Sequence, residues 1–175
     1  QELGLAGCHL EDQENPKRCG HLDGKSVVET AVMSRKIRAA SEAKVDANFL
    51  LIARTDARLS EGLEKAIDRA KAYVDAGAEM IFPEALQDEK EFERFRKEIS
   101  VPLLANMTEF GKTPLIPVSR FSELGYEMVI FPMTAFRMML QAVTECYEAL
   151  VQTGSQATLM DRMKTRAELY ETLQY

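Results

Sequence analysis

The chain has 175 residues, a net charge of −6 and 46% hydrophobic residues, which is the composition of an ordinary globular domain with one apolar core. The acidic balance argues against a general nucleic-acid binder, and the absence of Trp argues against a stacking platform for single strands. No apolar run approaches the roughly 20 residues of a membrane span, so we expect no membrane partner. Three cysteines at irregular spacing make no disulfide framework, which fits a cytoplasmic location.

Five short apolar runs are predicted to be β-strands. Each run is continuous rather than alternating and is bounded by polar residues, Gly or Pro, which is typical of strands buried on both faces of a parallel sheet. The predicted strands are residues 7–10, 49–53, 80–82, 103–105 and 128–131.

Amphipathic stretches between these runs are predicted to be helices, because their apolar residues recur at helical spacing. Gly77 and Gly125 are expected to end two of them, and residues 1–5 indicate the end of a further helix. The predicted helices cover residues 28–43, 63–74, 92–99, 119–124, 136–151 and 157–174. Strands and helices that alternate in this way predict a βα repeat with right-handed crossovers.

Polar residues follow four consecutive predicted strands. They occupy positions 11–13, 54–56, 83–84 and 106–109. This distribution favours a (β/α)8 TIM-type barrel, where catalytic residues collect at the C-terminal strand ends, over a doubly wound sheet with one ligand-binding switch point. Five units would supply strands four to eight, and three strands would precede Gln1. Some of the polar residues could equally be helix N-caps: Thr55, Asp56, Ser60 and Thr134.

The motif Lys17-Arg18-Cys19-Gly20-His21 carries the chemistry expected of a proton-transfer site. The neighbouring cations favour the thiolate of Cys19 and can hold a carboxylate, and Gly20 allows close approach of the backbone. The alternative is a solvated loop beside an inert thiol. The other two cysteines, Cys8 and Cys146, are expected to be buried and inert.

The chain resembles the isocitrate lyase/phosphoenolpyruvate mutase superfamily, over its whole length and with the blocks in the same order and spacing. The Cys-Gly-His loop is specific to the lyase branch of this superfamily. The matching blocks are residues 9–13, 17–21, 53–57, 82–85, 104–111, 134–137 and 163–171.

The resemblance implies a partial barrel domain over residues 1–175 with a C-terminal helical extension at 155–175. It also implies Mg²⁺ or Mn²⁺, held mainly by Asp residues on strands outside this chain. Glu11 is the only acid of the family's metal shell that is present, and one carboxylate makes a poor site for an ion that prefers octahedral oxygen ligands. The expected assembly is a homotetramer.

The resemblance further implies cleavage of a di- or tricarboxylate such as 2-methylisocitrate into pyruvate and succinate. Cys19 would protonate the succinate carbanion, while Lys17, Arg18 and His21 would tune the thiol and contact carboxylates. Arg54 and Arg137 suit bidentate carboxylate binding. The full set implied for substrate binding is Cys19, Gly20, Arg54, Glu84, Asn106, Met107, Thr108, Arg137 and Arg166.

Several alternatives remain open. Dimethylmalate lyases and oxaloacetate hydrolases share the Cys-Gly-His loop. Glu84 could be a strand-end cap, and Arg166 a solvated helix residue. A zinc module of Cys8, His9, Cys19 and His21 is disfavoured, because adjacent residues of a strand point to opposite faces. The chain could also be an inactive, partial module.

Overall fold

The computed structural model describes residues 3–21 and 24–175. The strands are β1 (Gly7–Glu11), β2 (Leu50–Thr55), β3 (Met80–Pro83), β4 (Leu104–Asn106) and β5 (Met128–Ile130). The helices are α1 (Thr30–Glu42), α2 (Ala57–Glu61), α3 (Leu63–Asp75), α4 (Glu89–Glu98), α5 (Val118–Leu124), α6 (Thr134–Thr153), a 3-10 helix (Ala157–Arg162) and α7 (Arg166–Leu173).

All five predicted strands are confirmed, with ends shifted by at most two residues. Helix α4 begins earlier than the apolar pattern indicated, because the Asp88 carboxylate accepts a hydrogen bond from the Glu91 amide and caps the first turn. The short helix α2 was missed. The predicted end of a helix at residues 1–5 lies partly outside the described residues, and residues 4–6 are not helical.

The strands run parallel and follow one another in chain order. β1 pairs with β2 and β2 with β3, and β4 pairs with β5. A single parallel bridge from Ile81 to Leu103 joins the two sheets. Consecutive parallel strands with intervening helices are the arrangement expected of one part of a (β/α)8 barrel.

The two faces of the sheet bury different side chains, as the alternation of a strand requires. Leu51 and Ala53 face the helices, in a core shared with Ile67 and Tyr73 of α3. The opposite face carries a smaller apolar cluster of Met80, Phe82 and Leu104, with Leu50, Ile52 and Ile130 packed against it. Arg54 follows Leu50 and Ile52 on this second face, and its guanidinium lies 4.8 Å from the centre of the Phe82 ring. The second face therefore ends in charged residues at the C-terminal edge of the sheet.

Residues up to Pro132 form one compact unit, and Met133–Tyr175 form a second. The predicted helix at 157–174 is two segments, because Met163 is extended and Thr165 begins α7 with a capping box to Glu168. The predicted division, an extension at 155–175, stays a prediction. Across the described residues, no helix combines the length and the apolar character needed to cross a bilayer.

The expectation that Cys8 and Cys146 are buried is wrong. Cys8 is exposed, and so is its neighbour His9 on the opposite face of β1, so neither face of the strand is covered by the described residues at this point. Cys146 is half-buried on α6, a helix with no fully buried residue.

Candidate active site

The charged residues at the C-terminal ends of the first three strands meet at Arg54. The guanidinium Nε donates a hydrogen bond to Asp56 Oδ2 at 2.8 Å and is 3.4 Å from Glu11 Oε2. The guanidinium Nη2 is 3.0 Å from Glu84 Oε2. Burial lowers the pKa of Arg54, but the hydrogen bond to Asp56 and the charges of Glu84 and Glu11 outweigh burial, so the pKa lies above its ordinary value. One permanent cation thus organises three carboxylates contributed by β1, β2 and β3.

Glu84 lies at the centre of the polar cluster rather than at its margin. Its side chain is 1% exposed. Both carboxylate oxygens accept a hydrogen bond from Asn106 Nδ2 at 3.3 Å, and Oε2 also forms the ion pair with Arg54. The backbone amide of Glu84 donates to Thr55 O at 3.0 Å, which fixes the start of the turn after β3. The carboxylate therefore faces the cluster and links β3 to β4.

His21 joins the Cys-containing loop to the segment after β4. Its Nδ1 accepts a hydrogen bond from the Lys112 amide at 3.0 Å, so the proton of the neutral ring resides on Nε2. Nε2 is 2.8 Å from Glu84 Oε1, although the angle there is not that of a hydrogen bond. A Cβ at Gly111 would lie 2.6 Å from His21 Nδ1, so this close approach requires glycine.

Gly20 presses against the charged residues that follow β2 and β3. A Cβ at this position would lie 2.5 Å from Arg54 Nη2, 2.5 Å from Glu84 Cγ and 2.7 Å from Asp56 Oδ1. The close backbone approach that the sequence suggested is therefore present, and here it is made to the protein's own side chains.

Two residues of the cluster were missed as site residues by the sequence analysis. Lys25 Nζ donates to Gly20 O at 2.6 Å and to Asp56 Oδ1 at 2.8 Å. Burial raises the pKa of Asp56, but the hydrogen bonds and charges of Arg54 and Lys25 outweigh it and hold the pKa below its usual range. Asp56 occupies the N-cap position of α2 without a side-chain capping bond, so the helix-cap alternative is wrong for its carboxylate.

Cys19 is exposed, and the residues next to it in the loop are held by hydrogen bonds. The side-chain amide of Gln13 pairs with the backbone of Arg18 in both directions, at 2.9 Å each. Lys17 Nζ donates to Glu11 Oε2 at 2.9 Å. The thiol is thus accessible while the backbone before and after it is held.

The other residues implied for substrate binding lie in different settings. Met107 is in the core, its sulfur accepts a hydrogen bond from the Ile116 amide, and its own amide donates to Ile130 O at 2.9 Å. Thr108 is half-buried just after β4. Arg137 and Arg166 are exposed on α6 and α7 of the second unit. Their roles stay predictions.

A buried carboxylate behind the site supports its backbone. Asp12 accepts hydrogen bonds from the Asp56 amide and from Tyr73 Oη, both at 2.8 Å, and Arg69 Nη1 donates to Tyr73 Oη at 3.2 Å. Burial raises the pKa of Asp12, and these hydrogen bonds only partly offset it. Asp12 therefore ties β1, the end of β2 and helix α3 together.

The described residues do not by themselves form a divalent-metal site. No group of three potential ligands among His, Cys, Asp and Glu converges within them. Glu11 is bound to Lys17 and lies close to Arg54, so its charge is already balanced. The zinc alternative has no support in this geometry, since Cys8 and His9 are exposed and the Lys112 amide donates to Nδ1 of His21.

Comparisons with known proteins agree with this architecture. The family profile of phosphoenolpyruvate phosphomutase matches residues 1–151. Probable 2-methylisocitrate lyase 2 of Corynebacterium glutamicum is 53% identical over 175 residues, which is 100% of this chain and 57% of that protein.

Two solved structures of other proteins share this fold. A crystal structure of 2,3-dimethylmalate lyase superposes with a TM-score of 0.88 at 35% identity, covering 97% of this chain and 57% of that one. Oxaloacetate acetylhydrolase with the inhibitor 3,3-difluorooxalacetate has a TM-score of 0.87 at 35% identity, covering 97% and 58%. The chain thus spans less than two thirds of each relative, and its fold is part of their barrel.

Proposed function

Because the chain belongs to the phosphoenolpyruvate mutase/isocitrate lyase superfamily, we propose that the complete protein is a carbon–carbon lyase that cleaves 2-methylisocitrate into pyruvate and succinate. The observation that carries the proposal is the placement of the Cys19 loop. Its Gly20 and His21 lie against Arg54 and Glu84 at the strand ends, which leaves the thiol exposed beside the charged cluster.

The proposed step is a retro-aldol cleavage. The substrate hydroxyl loses its proton to water, the bond between C2 and C3 breaks, and the electron pair stays on the carbon that becomes part of succinate. Cys19 gives its proton to that carbon, the C2 fragment leaves as pyruvate, and the resulting thiolate takes a proton back from water. A thiol suits this step, since it can donate and recover a proton near neutral pH.

The remaining residues bind and orient the substrate in this proposal. Arg54 and Asn106 offer donors to carboxylate oxygens, and Glu84 holds both in place. Arg137 and Arg166 are proposed as further carboxylate partners. Lys17 and Arg18 add positive charge next to Cys19, which favours the approach of a trianionic substrate.

A divalent ion such as Mg²⁺ would stabilise the negative charge that develops on the substrate oxygen. The described residues do not fit such an ion alone, because Glu11 is their one candidate ligand and is paired with Lys17. We therefore propose that ligands outside these residues hold the ion. Assembly as a homotetramer and a cytoplasmic location are part of the same proposal.

The second candidate function is cleavage of 2,3-dimethylmalate or of oxaloacetate. The observation that favours it is the structural similarity to 2,3-dimethylmalate lyase and oxaloacetate acetylhydrolase. The first proposal is supported more strongly, because the identity to a 2-methylisocitrate lyase is higher, at 53% against 35%.

A substrate comparison tests the proposal. The complete protein, purified with Mg²⁺, is assayed for pyruvate from 2-methylisocitrate, for products of 2,3-dimethylmalate and for oxalate from oxaloacetate. We expect the largest kcat/KM with 2-methylisocitrate. A larger kcat/KM with 2,3-dimethylmalate or oxaloacetate would show that the protein catalyses that reaction instead.

A further inference from the structure

Lys25 carries a buried charge that neither the motif nor the substrate chemistry accounts for. Its side chain is 2% exposed, and its ammonium contacts a carboxylate that is fully buried, that of Asp56. A buried ammonium is unfavourable unless it is paired and hydrogen-bonded. The two acceptors within 2.8 Å meet that condition and fix the position of the ammonium.

The acceptors of Lys25 belong to two different parts of the site. Gly20 O lies in the turn directly after Cys19, and Asp56 Oδ1 lies at the end of β2, which is anchored in the core. Lys25 is therefore a bridge between the loop that carries the thiol and the rigid sheet edge. Asp56 in turn is held by Arg54 through its side chain and by Asp12 through its amide.

The close packing around Gly20 indicates how the Lys25 bridge acts on the loop. The Gly20 Cα is so close to Arg54, Glu84 and Asp56 that an added methyl group would overlap all three. A carbonyl tethered at 2.6 Å keeps the turn at this depth. If the tether is lost, the turn can rise, and the adjacent Cys19 rises with it.

We propose that Lys25 is a positioning residue: by bridging Gly20 O and Asp56 Oδ1 it holds the Cys19-Gly20-His21 turn on the sheet edge and sets where the thiol is presented. The kinetic part of this inference rests on the proposed lyase function. The structural part, the attachment of the turn, does not.

The test compares Lys25→Met, Lys25→Arg and the matched control Lys44→Met in the complete protein. Lys44 is also a largely buried lysine, bound to both oxygens of Glu79 at 2.6 and 2.7 Å, but it lies outside the site. For each variant, hydrogen exchange of residues 17–21, iodoacetamide alkylation of Cys19 followed by peptide mass spectrometry, kcat and KM are measured.

In Lys25→Met we expect faster exchange at residues 17–21, faster alkylation of Cys19, and a kcat lowered about 10- to 100-fold, as for loss of a hydrogen bond from a charged group. The KM should change much less, because the substrate contacts are retained. Lys25→Arg should restore part of the protection and of kcat. Lys44→Met should match the wild type in all four measurements.

Wild-type exchange and alkylation in Lys25→Met would overturn the proposal, as would an equal response in Lys44→Met. If Lys25→Met does not fold, Lys25→Gln is judged by the same criteria. If the wild-type protein cleaves none of the three substrates, the lyase assignment fails while exchange and alkylation still decide the role of Lys25.

Discussion

At the scale of single residues, the site is governed by the pairing of charges. Arg54, Lys25 and Lys17 face Asp56, Glu84 and Glu11 at the strand ends. Each buried charge has a partner of opposite sign in a neighbouring strand end or loop. The ion pairs therefore hold the loop against the strand ends. Cys19, the proposed proton donor, is exposed and directly precedes Gly20, which lies against this cluster.

Replacement of Cys19 by Ser is expected to abolish turnover and leave the fold unchanged. A hydroxyl occupies nearly the same volume but is too weak an acid to protonate the carbanion at the required rate. Pyruvate release and circular dichroism are measured together, with Cys146→Ser as the control. Equal activities of the two variants would show that the assignment of Cys19 is wrong.

The Asp56 carboxylate gives a pH-dependent contribution to stability. Its folded pKa lies below the unfolded value, so the stabilisation is complete above the unfolded value of about 3.9 and is lost as the pH falls through the folded pKa. Asp56→Asn should therefore destabilise the protein at pH 7, with a difference from the wild type that shrinks below about pH 4. Urea unfolding from pH 3 to 7 measures this difference, and a difference independent of pH contradicts the argument.

At the scale of elements, helix α3 supports the site from behind the sheet. Tyr73 donates its hydroxyl hydrogen to Asp12, which accepts the Asp56 amide, and Arg69 of the same helix donates to Val28 O at 2.7 Å just after the Cys-containing loop. Arg69 is itself held by Glu61 through two contacts of 2.7 Å. One helix thus fixes both the strand end and the base of the loop.

Tyr73→Phe is expected to lower the free energy of unfolding by about 1–3 kcal/mol, because it leaves a buried carboxylate without one of its donors. The aromatic ring is retained, so packing changes little. Tyr147→Phe is the control, since Tyr147 is 66% exposed and its loss of a hydroxyl should cost nothing measurable. Unfolding in urea gives both values, and similar values for the two variants would refute the role of the Tyr73 hydroxyl.

The loop that carries Cys19 is a second element whose behaviour is predicted. It contains Gly20 and many charged residues, and it contacts the site through a few polar bonds rather than through a hydrophobic core. Hydrogen exchange at residues 14–25 should slow when a dicarboxylate inhibitor saturates the complete protein. No slowing at saturation would mean that this loop does not close over the ligand.

At the scale of the whole chain, the described residues give a partial barrel unit up to Pro132 and a helical unit from Met133. β1 and β5 each pair with one strand among the described residues. The chain covers 57% of a 2-methylisocitrate lyase relative. The Cys19 loop and the strand-end charges proposed to bind substrate are thus present together, and Glu11 is the one proposed metal ligand among the described residues.

A polypeptide of these 175 residues alone is expected to bind Mg²⁺ weakly and to lack lyase activity. One paired carboxylate cannot supply an octahedral site, and uncovered strand edges favour aggregation. Mass spectrometry confirms the length, titration calorimetry measures Mg²⁺ binding, and pyruvate release measures turnover. Activity near that of the complete protein would show that the metal site or the fold has been misassigned.

The site could be predicted only in part from the sequence. Arg54, Glu84 and Asn106 each follow an apolar run whose C-terminal end must lie at one edge of a parallel sheet, and the resemblance to the superfamily implied their role in substrate binding. Lys25 was missed, since a lysine in a charged loop gives no local sign that its ammonium is buried. Asp56 was noted as a strand-end polar residue and a candidate cap but not as a site residue, because its partners are decided by the fold.

The sequence by itself determined the order of strands and helices and the edge at which the polar residues gather. These follow from short-range patterns: continuous apolar runs, helical spacing, caps and glycine stops. Only the tertiary structure decided which charges pair, as with Lys25 and Asp56, 31 positions apart, or Tyr73 and Asp12, 61 positions apart. Such pairs depend on distances between elements that are far apart in the chain, and no local pattern encodes those distances.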